Sequence, residues 1–298
     1  MDWTVYWFMF PACILIANVA IFSGISGAAF LTPLFLIGFP LMGVPTLTTV
    51  GAIGTALFLE VGGFGMGVYS YMKLGLPDMR TVYKLGAVTL PLGLLGAILA
   101  HHAPAQLLRI AYGVCMLVIA WLLYSGHEAS TTDATRACQT CAADPGVHVR
   151  QITATDGKIY RFCPHTGMRL QRALSGGGAF LAGLISTGVG EATLPTLIRR
   201  SRFPTAVAAA TSTLVVAATV VGAATAHMIQ LAMVGGWKAI PWNLIVWAVP
   251  GALIGATTGP RFQGRINERA SQLFFSVLFL LIGVTFLVAF TLFTRRFG

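Results

Sequence analysis

The chain has 298 residues, of which 56% are hydrophobic and only 9% are charged, whereas a soluble domain carries about 25% charged residues. Long windows without a charge exclude a single large soluble core and indicate membrane helices. The net charge of +10 does not indicate a nucleic-acid partner, because the basic residues lie in short loops beside apolar segments, as in cytoplasmic loops of membrane proteins.

Apolar segments follow one another along nearly the whole chain and predict an all-α polytopic membrane protein surrounded by lipid. The candidate segments are 5–38, 46–59, 85–108, 110–127, 174–190, 203–226, 239–260 and 270–294. A single long polar stretch, 125–173, interrupts them.

An internal repeat divides the chain. The seven residues that start at Pro91 return in similar form from Pro250, 159 positions later, and Pro45-Thr46 returns at the same offset as Pro204-Thr205. The repeat predicts two homologous membrane halves, 1–124 and 174–298, separated by an insert at 125–173. Duplicated membrane bundles of this kind are typical of transporters that hold the substrate between the halves.

The basic residues predict how the halves face. They favour a cytoplasmic position for the loops 73–84, 125–173, 199–203 and 261–269. Equivalent loops then lie on opposite sides, so we expect inverted-topology repeats, each with a Gly-rich re-entrant hairpin and three transmembrane helices. Arg295-Arg296 opposes this assignment, and a parallel four-plus-four repeat is the alternative.

No Lys or Arg lies in the middle of an apolar segment, so an anion there must be bound by backbone. The Gly-rich tips at 24–27 and 186–190 can offer unpaired N–H groups at helix N-termini, although small residues also serve tight helix packing. Hydroxyls in two matching helices can add donors or bond back to their own helix. The candidate substrate-binding residues are Gly24, Ser26, Gly27, Thr55, Ser186, Thr187, Gly188, Gly190, Thr211 and Ser212.

Two carboxylates lie within apolar sequence. Glu60 is near the middle of 46–73, and Glu191 directly follows the second tip. An intramembrane carboxylate is costly when ionised, so each is a candidate proton carrier, with Glu191 favoured because it adjoins the tip. A protonated carboxyl group that serves only helix packing is the alternative.

The insert carries Cys138 and Cys141 as CxxC, and Cys163 and His165 as CxH. Four such ligands suit tetrahedral zinc. The sequence between them alternates like strands, with Asp156-Gly157 as the turn, so we expect a small zinc-ribbon-like hairpin with a structural or regulatory zinc ion. A redox CxxC pair and unliganded thiols are the alternatives.

Both membrane halves resemble the TauE/SafE family of sulfite exporters, also called sulfonate uptake permeases. The resemblance rests on the stretches 24–33 and 52–57 in the first half and 187–195 and 210–212 in the second, and it does not include the unusual insert. It implies a secondary transporter, not an enzyme, for sulfite, sulfoacetate or other organosulfonates. Glu191 stands where many members of the family carry Gly, which suggests proton coupling or a different substrate.

The sequence is compatible with three functions. The leading hypothesis is a proton-coupled transporter of small anions. The alternatives are a membrane-embedded sensor, in which the metal-binding insert signals that ligand is bound, and a membrane redox enzyme that uses Cys138 and Cys141. The sequence is compatible with a homodimer but does not require one.

Overall fold

The computed structural model describes residues 3–23, 25–125, 150–155, 157–162, 168–199, 203–258 and 268–297. Cys138, Cys141, Cys163 and His165 lie outside these residues, as do Gly24 and most of the insert. The predicted zinc site therefore stays a prediction.

The first half consists of helices and one π-helical stretch. Its elements are α1 (Met9–Ser23), α2 (Ala28–Pro33), a π-helical stretch (Leu34–Gly38), α3 (Phe39–Leu41), α4 (Thr49–Lys73), α5 (Met79–His102) and α6 (Ala105–Tyr124). The break between α1 and α2 falls at the predicted tip. The start of α4 is fixed by Thr48, whose hydroxyl accepts a hydrogen bond from the Gly51 N–H at 3.1 Å, a common N-cap interaction.

The second half repeats this order of elements. Its helices are α7 (Met168–Ile185), α8 (Val189–Arg199), α9 (Thr205–Gly235), α10 (Trp242–Thr258) and α11 (Glu268–Phe297), with a 3₁₀ turn at Trp237–Ala239. α7, α8, α9, α10 and α11 correspond in order to α1, the α2–α3 segment, α4, α5 and α6. α7 begins at Met168, six residues before the predicted boundary at 174.

The repeated Gly-rich helices pack on the opposite half. α5 of the first half packs on α7, and α10 of the second half packs on α1. A Cβ at Gly96 would overlap the carbonyl oxygen of Phe180, and a Cβ at Gly255 would overlap that of Ile14. Small residues let membrane helices approach this closely, so the repeated motif serves the contact between the halves.

Two pairs of corresponding helices run in opposite directions. In the α4–α9 pair, Gly54 lies against His227 while Gly67 lies against Thr213. In the α6–α11 pair, Gly113 lies against Phe286, whereas the Ser276 hydroxyl bonds the Ala120 carbonyl at 2.8 Å. The two helices of each pair are therefore antiparallel.

Four helices are long and apolar enough to cross a membrane: Thr49–Lys73, Met79–His102, Ala105–Tyr124 and Thr205–Gly235. The remaining apolar helices are shorter. Large apolar side chains point outwards on several helices, with Leu95, Trp121 and Leu281 each more than half exposed. This surface is that of a membrane protein rather than a soluble one.

The insert contributes a two-stranded hairpin, as its alternating sequence predicts. β1 (Arg150–Thr153) pairs antiparallel with β2 (Ile159–Phe162). The Thr155 N–H donates to the Leu74 carbonyl at 3.0 Å, and the Phe162 ring lies 4.4 Å from that of Phe203. The hairpin therefore lies at the end of the bundle that contains the connection between α4 and α5 (residues 74–78) and Phe203, and we call this end the insert side.

Candidate functional site

The two Gly-rich tips meet inside the bundle, and Glu191 joins them. Its Oε1 accepts a hydrogen bond from the Ser26 N–H at 3.1 Å, and its Oε2 accepts one from the Gly188 N–H at 3.0 Å. Gly188 immediately precedes α8 as its N-cap residue, and Glu191, three residues later, bonds back to the N-cap N–H, as in a capping box. One carboxylate thereby connects backbone N–H groups of both halves.

Glu60 reaches the first tip from the middle of α4. Its Oε1 accepts hydrogen bonds from the Ser26 hydroxyl at 2.6 Å and from the Gly27 N–H at 2.9 Å. The side chain is only 4% exposed, and its Oε2 has no hydrogen-bond partner. A buried carboxylate oxygen without a partner is costly, so this position is suited to a proton or a ligand.

A hydroxyl pair also connects the tips. The Thr32 and Ser186 hydroxyl oxygens lie 2.6 Å apart, and the Ser186 hydroxyl donates to the Ile185 carbonyl at 2.6 Å. The Thr32 hydroxyl is consequently the donor within the pair. Ser186 has φ of 63°, a left-handed conformation that costs energy in a residue other than glycine and occurs most often at functional sites.

Tyr112 of α6 supports the first tip. Its hydroxyl donates to the Ala29 carbonyl at 2.6 Å, and both groups are buried. Sequence reasoning missed Tyr112 and Thr32. The available signal was weak: each is a single polar group in an apolar segment, and neither has a partner close in sequence.

A narrow pocket adjoins the first tip. Its lining includes Gly27, Glu60, Leu59, Phe64 and Cys13. Among the described residues of this lining, Glu60 is the only charged one, and the rest are apolar. The carboxyl group that lacks one hydrogen-bond partner therefore also borders empty space.

The other predicted site residues lie in different parts of the bundle. Thr55 is fully buried in α4, and its hydroxyl has no partner. Thr211 lies at the insert side, where its hydroxyl accepts from the Asp78 N–H at 3.0 Å. Ser212 is buried beside it, while Thr187 and Gly190 are buried at the second tip.

Asp78 connects this insert-side network to the hairpin. Its Oδ2 accepts hydrogen bonds from the Arg150 guanidinium at 2.6 Å and from the Thr81 hydroxyl at 2.6 Å. Through its N–H, Asp78 also contacts Thr211 at the beginning of α9. A chain of polar contacts thus joins the insert to a long helix of the second half.

Two histidines form a second buried polar cluster, nearer the end of the bundle opposite the insert. The His227 Nε2 lies 2.8 Å from the Gly183 carbonyl, and its Nδ1 lies 3.1 Å from the His101 Nε2. A carbonyl can only accept, so His227 donates from Nε2 and His101 donates to its Nδ1. His227 is fully buried and contacts α7 five residues before Gly188.

Within the described residues, no group of three or more His, Cys, Asp or Glu could hold a metal ion. The amide, hydroxyl and carboxyl groups at the tips are suited to reversible binding of anions and protons. None of these contacts constitutes a nucleophile activated by a base, the arrangement that covalent catalysis requires.

Comparison with curated proteins and with solved structures gives no match. The family described as Sulfite exporter TauE/SafE matches residues 9–286, which include both membrane halves and the insert between them. The duplicated helices, the apolar outer surface and this match agree: the chain belongs to the TauE/SafE family of sulfite exporters, whose members are membrane transporters and not enzymes.

Proposed function

We propose that this protein is a secondary transporter that moves sulfite, sulfoacetate or other small organosulfonates across the bacterial inner membrane, coupled to protons. The observation that carries the proposal is the meeting of the two tips: amides of both halves converge on Glu191. Transporters built from repeats place their substrate where the halves meet, at broken helices inside the membrane.

Backbone amides are the groups that bind the anion in this proposal. The N–H groups of Ser26, Gly27 and Gly188 point at carboxylate oxygens in the structure. A sulfonate or sulfite presents the same kind of negatively charged oxygen. Helix N-termini stabilise such oxygens through unpaired N–H groups and the positive end of the helix dipole.

The contacts between the tips supply a means of alternating access. Glu191 bonds Ser26 across the halves, and Thr32 bonds Ser186. Relative movement of the halves has to break both contacts, and protonation of Glu191 weakens the first because a neutral carboxyl group is a poorer acceptor. Glu191 is therefore the leading candidate for the proton carrier, with Glu60 as its neighbour.

We further propose that the halves have inverted topology and that the insert is cytoplasmic. The opposite directions of α4 against α9 and of α6 against α11 support the inversion. The basic residues Lys73, Arg80 and Lys84 adjoin the insert side, which supports a cytoplasmic position by the positive-inside rule.

For the insert we retain the zinc proposal, with Cys138, Cys141, Cys163 and His165 as ligands. The hairpin between the two ligand pairs supports it, because Arg150 and Phe162 fall between the CxxC and CxH motifs. Changing Cys138 and Cys141 together to Ser should lower zinc content, measured by elemental analysis of purified protein. An unchanged zinc-to-protein ratio would exclude this ligand set.

A ligand sensor is the second candidate function. It is favoured by the polar connection from Arg150 through Asp78 to Thr211, which would let the insert respond to a movement of α9. A sensor binds ligand without net flux. Flux through reconstituted vesicles therefore distinguishes the two functions.

Binding can be tested in detergent by thermal shift with sulfite, sulfate, thiosulfate, sulfoacetate, taurine and simple carboxylates. A ligand present at about 100 times its Kd adds about 2.7 kcal/mol of stability. The proposal expects selective stabilisation by sulfite or a sulfonate. A shift that is equal for all anions, or absent for all of them, would contradict the proposed substrate class.

A further inference from the structure

The amides at the meeting point of the halves are already occupied. Glu191 takes the N–H groups of Ser26 and Gly188, and Glu60 takes that of Gly27. At each of these N–H donors, a carboxyl oxygen of Glu60 or Glu191 stands where an oxygen of a bound sulfonate would accept the hydrogen bond. In this structure two side chains of the chain itself thus occupy the donors of the proposed substrate site.

The side chain of Glu60 gives an independent indication that this place is built for a ligand. The side chain is only 4% exposed, yet its Oε2 has no hydrogen-bond partner. Together with Gly27 it lines the pocket beside the first tip. α2 is the beginning of a longer apolar helix, Ala28–Leu41, so the dipole at this tip is that of several turns.

An ionised Glu191 and a bound oxyanion exclude one another. A backbone N–H makes one good hydrogen bond, so the substrate can take the Ser26 and Gly188 amides only after the carboxylate leaves them. Two negative charges close together at this depth also repel strongly, because the surroundings screen them poorly. The carboxyl group can leave its amides at low cost only in the neutral form.

Resting on the proposed transport function, we infer that Glu191 is a displaceable internal occupant of the substrate site. A proton from water binds a carboxylate oxygen of Glu191, the neutral side chain releases the amides of Ser26 and Gly188, and the oxyanion takes them. Departure of the anion lets Glu191 lose the proton and return. Binding of one anion therefore takes up about one proton.

The neighbouring titratable groups do not replace Glu191 in this role. Tyr112 of α6 is committed to the Ala29 carbonyl, and His227 of α9 is committed to Gly183 and His101. Cys115 of α6 is a partly buried thiol. Glu60 of α4 is the nearest alternative, but it accepts hydrogen bonds from Ser26 and Gly27 of the first half, so its departure would not free amides of both halves.

The test uses methanesulfonate, which does not titrate in the physiological range, and full-length protein in detergent. Proton uptake is followed by calorimetry in buffers of different ionisation enthalpy. For the wild-type protein we expect about one proton per anion and an apparent Kd that rises about tenfold per pH unit once Glu191 is ionised. For Glu191→Gln we expect no proton uptake and a Kd that does not change with pH.

Two further variants keep the test specific. Glu60→Gln should retain proton uptake, because Glu191 is intact. Thr193→Val should behave as wild type, because the Thr193 hydroxyl is buried in α8 without a partner. If Glu191→Gln fails to fold, the proton count of the wild-type protein still decides.

Methanesulfonate binding without proton uptake would overturn the inference and leave the transport function intact. So would proton uptake that survives in Glu191→Gln but disappears in Glu60→Gln. If neither wild type nor Glu191→Gln binds methanesulfonate at any pH, the inference also fails, and sulfite flux in vesicles then decides separately whether the transport function stands.

Discussion

Both tips present backbone N–H groups to carboxyl oxygens, but their local structures differ. The second tip is built by its own backbone: Ser186 and Gly188 have positive φ values of 63° and 124°, and α8 folds back on α7 so closely that Gly188 touches Gly178. Gly27 at the first tip is ordinary helical backbone, with φ of −63°. Side chains from elsewhere, Glu60 and Tyr112, hold that tip in place.

This difference indicates which tip is the more rigid. The second hairpin is a self-packed unit that carries Glu191, whereas the first tip depends on helices α4 and α6. Changes inside the second hairpin should therefore damage the fold, and changes around the first tip should adjust the site. The following variants test that distinction.

Gly178→Ala should have the largest effect. A Cβ at Gly178 would overlap the carbonyl oxygen of Gly188, while a Cβ at Gly177 would meet nothing within 4 Å. Overpacking against backbone costs about 1–3 kcal/mol, so Gly178→Ala should lower the thermal unfolding temperature in detergent. Gly177→Ala is the matched control and should be neutral or slightly stabilising; equal losses in both would contradict the self-packed hairpin.

Glu191→Gln should come next, with an effect on coupling. The carboxamide oxygen can still accept from one of the two tip amides, so the protein should fold and exchange anions across vesicles. Flux driven by a pH gradient should fall about tenfold or more, because the side chain no longer binds and releases a proton. Normal pH-driven flux would remove Glu191 from the coupling role.

Glu60→Gln should affect pH-driven flux less than Glu191→Gln. Its carboxamide oxygen can still accept from the Ser26 hydroxyl and the Gly27 N–H, which now supply the contacts of its Oε1. Parallel flux measurements at one protein-to-lipid ratio compare the two variants. A larger loss in Glu60→Gln would move the main proton carrier to the first half.

Tyr112→Phe should weaken the first tip without unfolding the protein. It removes the hydroxyl that donates to the buried Ala29 carbonyl, at a cost of about 1–3 kcal/mol for an unsatisfied buried acceptor. Thermal unfolding and sulfite affinity should both decrease. Tyr124→Phe, at a largely exposed position, is the control and should change neither property.

Thr32→Val should have the smallest effect. The Ser186 hydroxyl loses its donor from Thr32 but keeps its bond to the Ile185 carbonyl, so the cost should be about 0.5–1.5 kcal/mol. The variant should ease relative movement of the halves and shorten the exchange half-time. Slower exchange would show that this hydroxyl pair assists transport rather than restraining the tips.

Much of this arrangement could be predicted from the sequence, because it depends on local patterns. Gly-rich breaks in apolar segments indicated both tips, and isolated carboxylates in apolar sequence indicated Glu60 and Glu191. The alternating sequence between 150 and 162 indicated the hairpin that the structure contains. The resemblance to the TauE/SafE family is confirmed by the family match over residues 9–286.

The contacts between distant segments could not be predicted. Thr55 and Thr211 are both predicted substrate-binding residues, but α4 and α9 run in opposite directions and Thr211 lies at the insert side against Asp78. Likewise, nothing near Tyr112 in the sequence identifies Ala29 as its partner. Such pairs depend on how helices are placed in the bundle, which a local pattern does not encode.

The central claim is that the paired tips move a sulfur oxyanion together with protons. Sulfite flux into proteoliposomes, with and without an imposed pH gradient, tests it most directly, with protein-free vesicles and Glu191→Gln as controls. The account predicts saturable flux that the gradient accelerates in the wild-type protein and not in Glu191→Gln. Flux no faster than in protein-free vesicles, despite sulfite binding in detergent, would contradict it and favour the sensor.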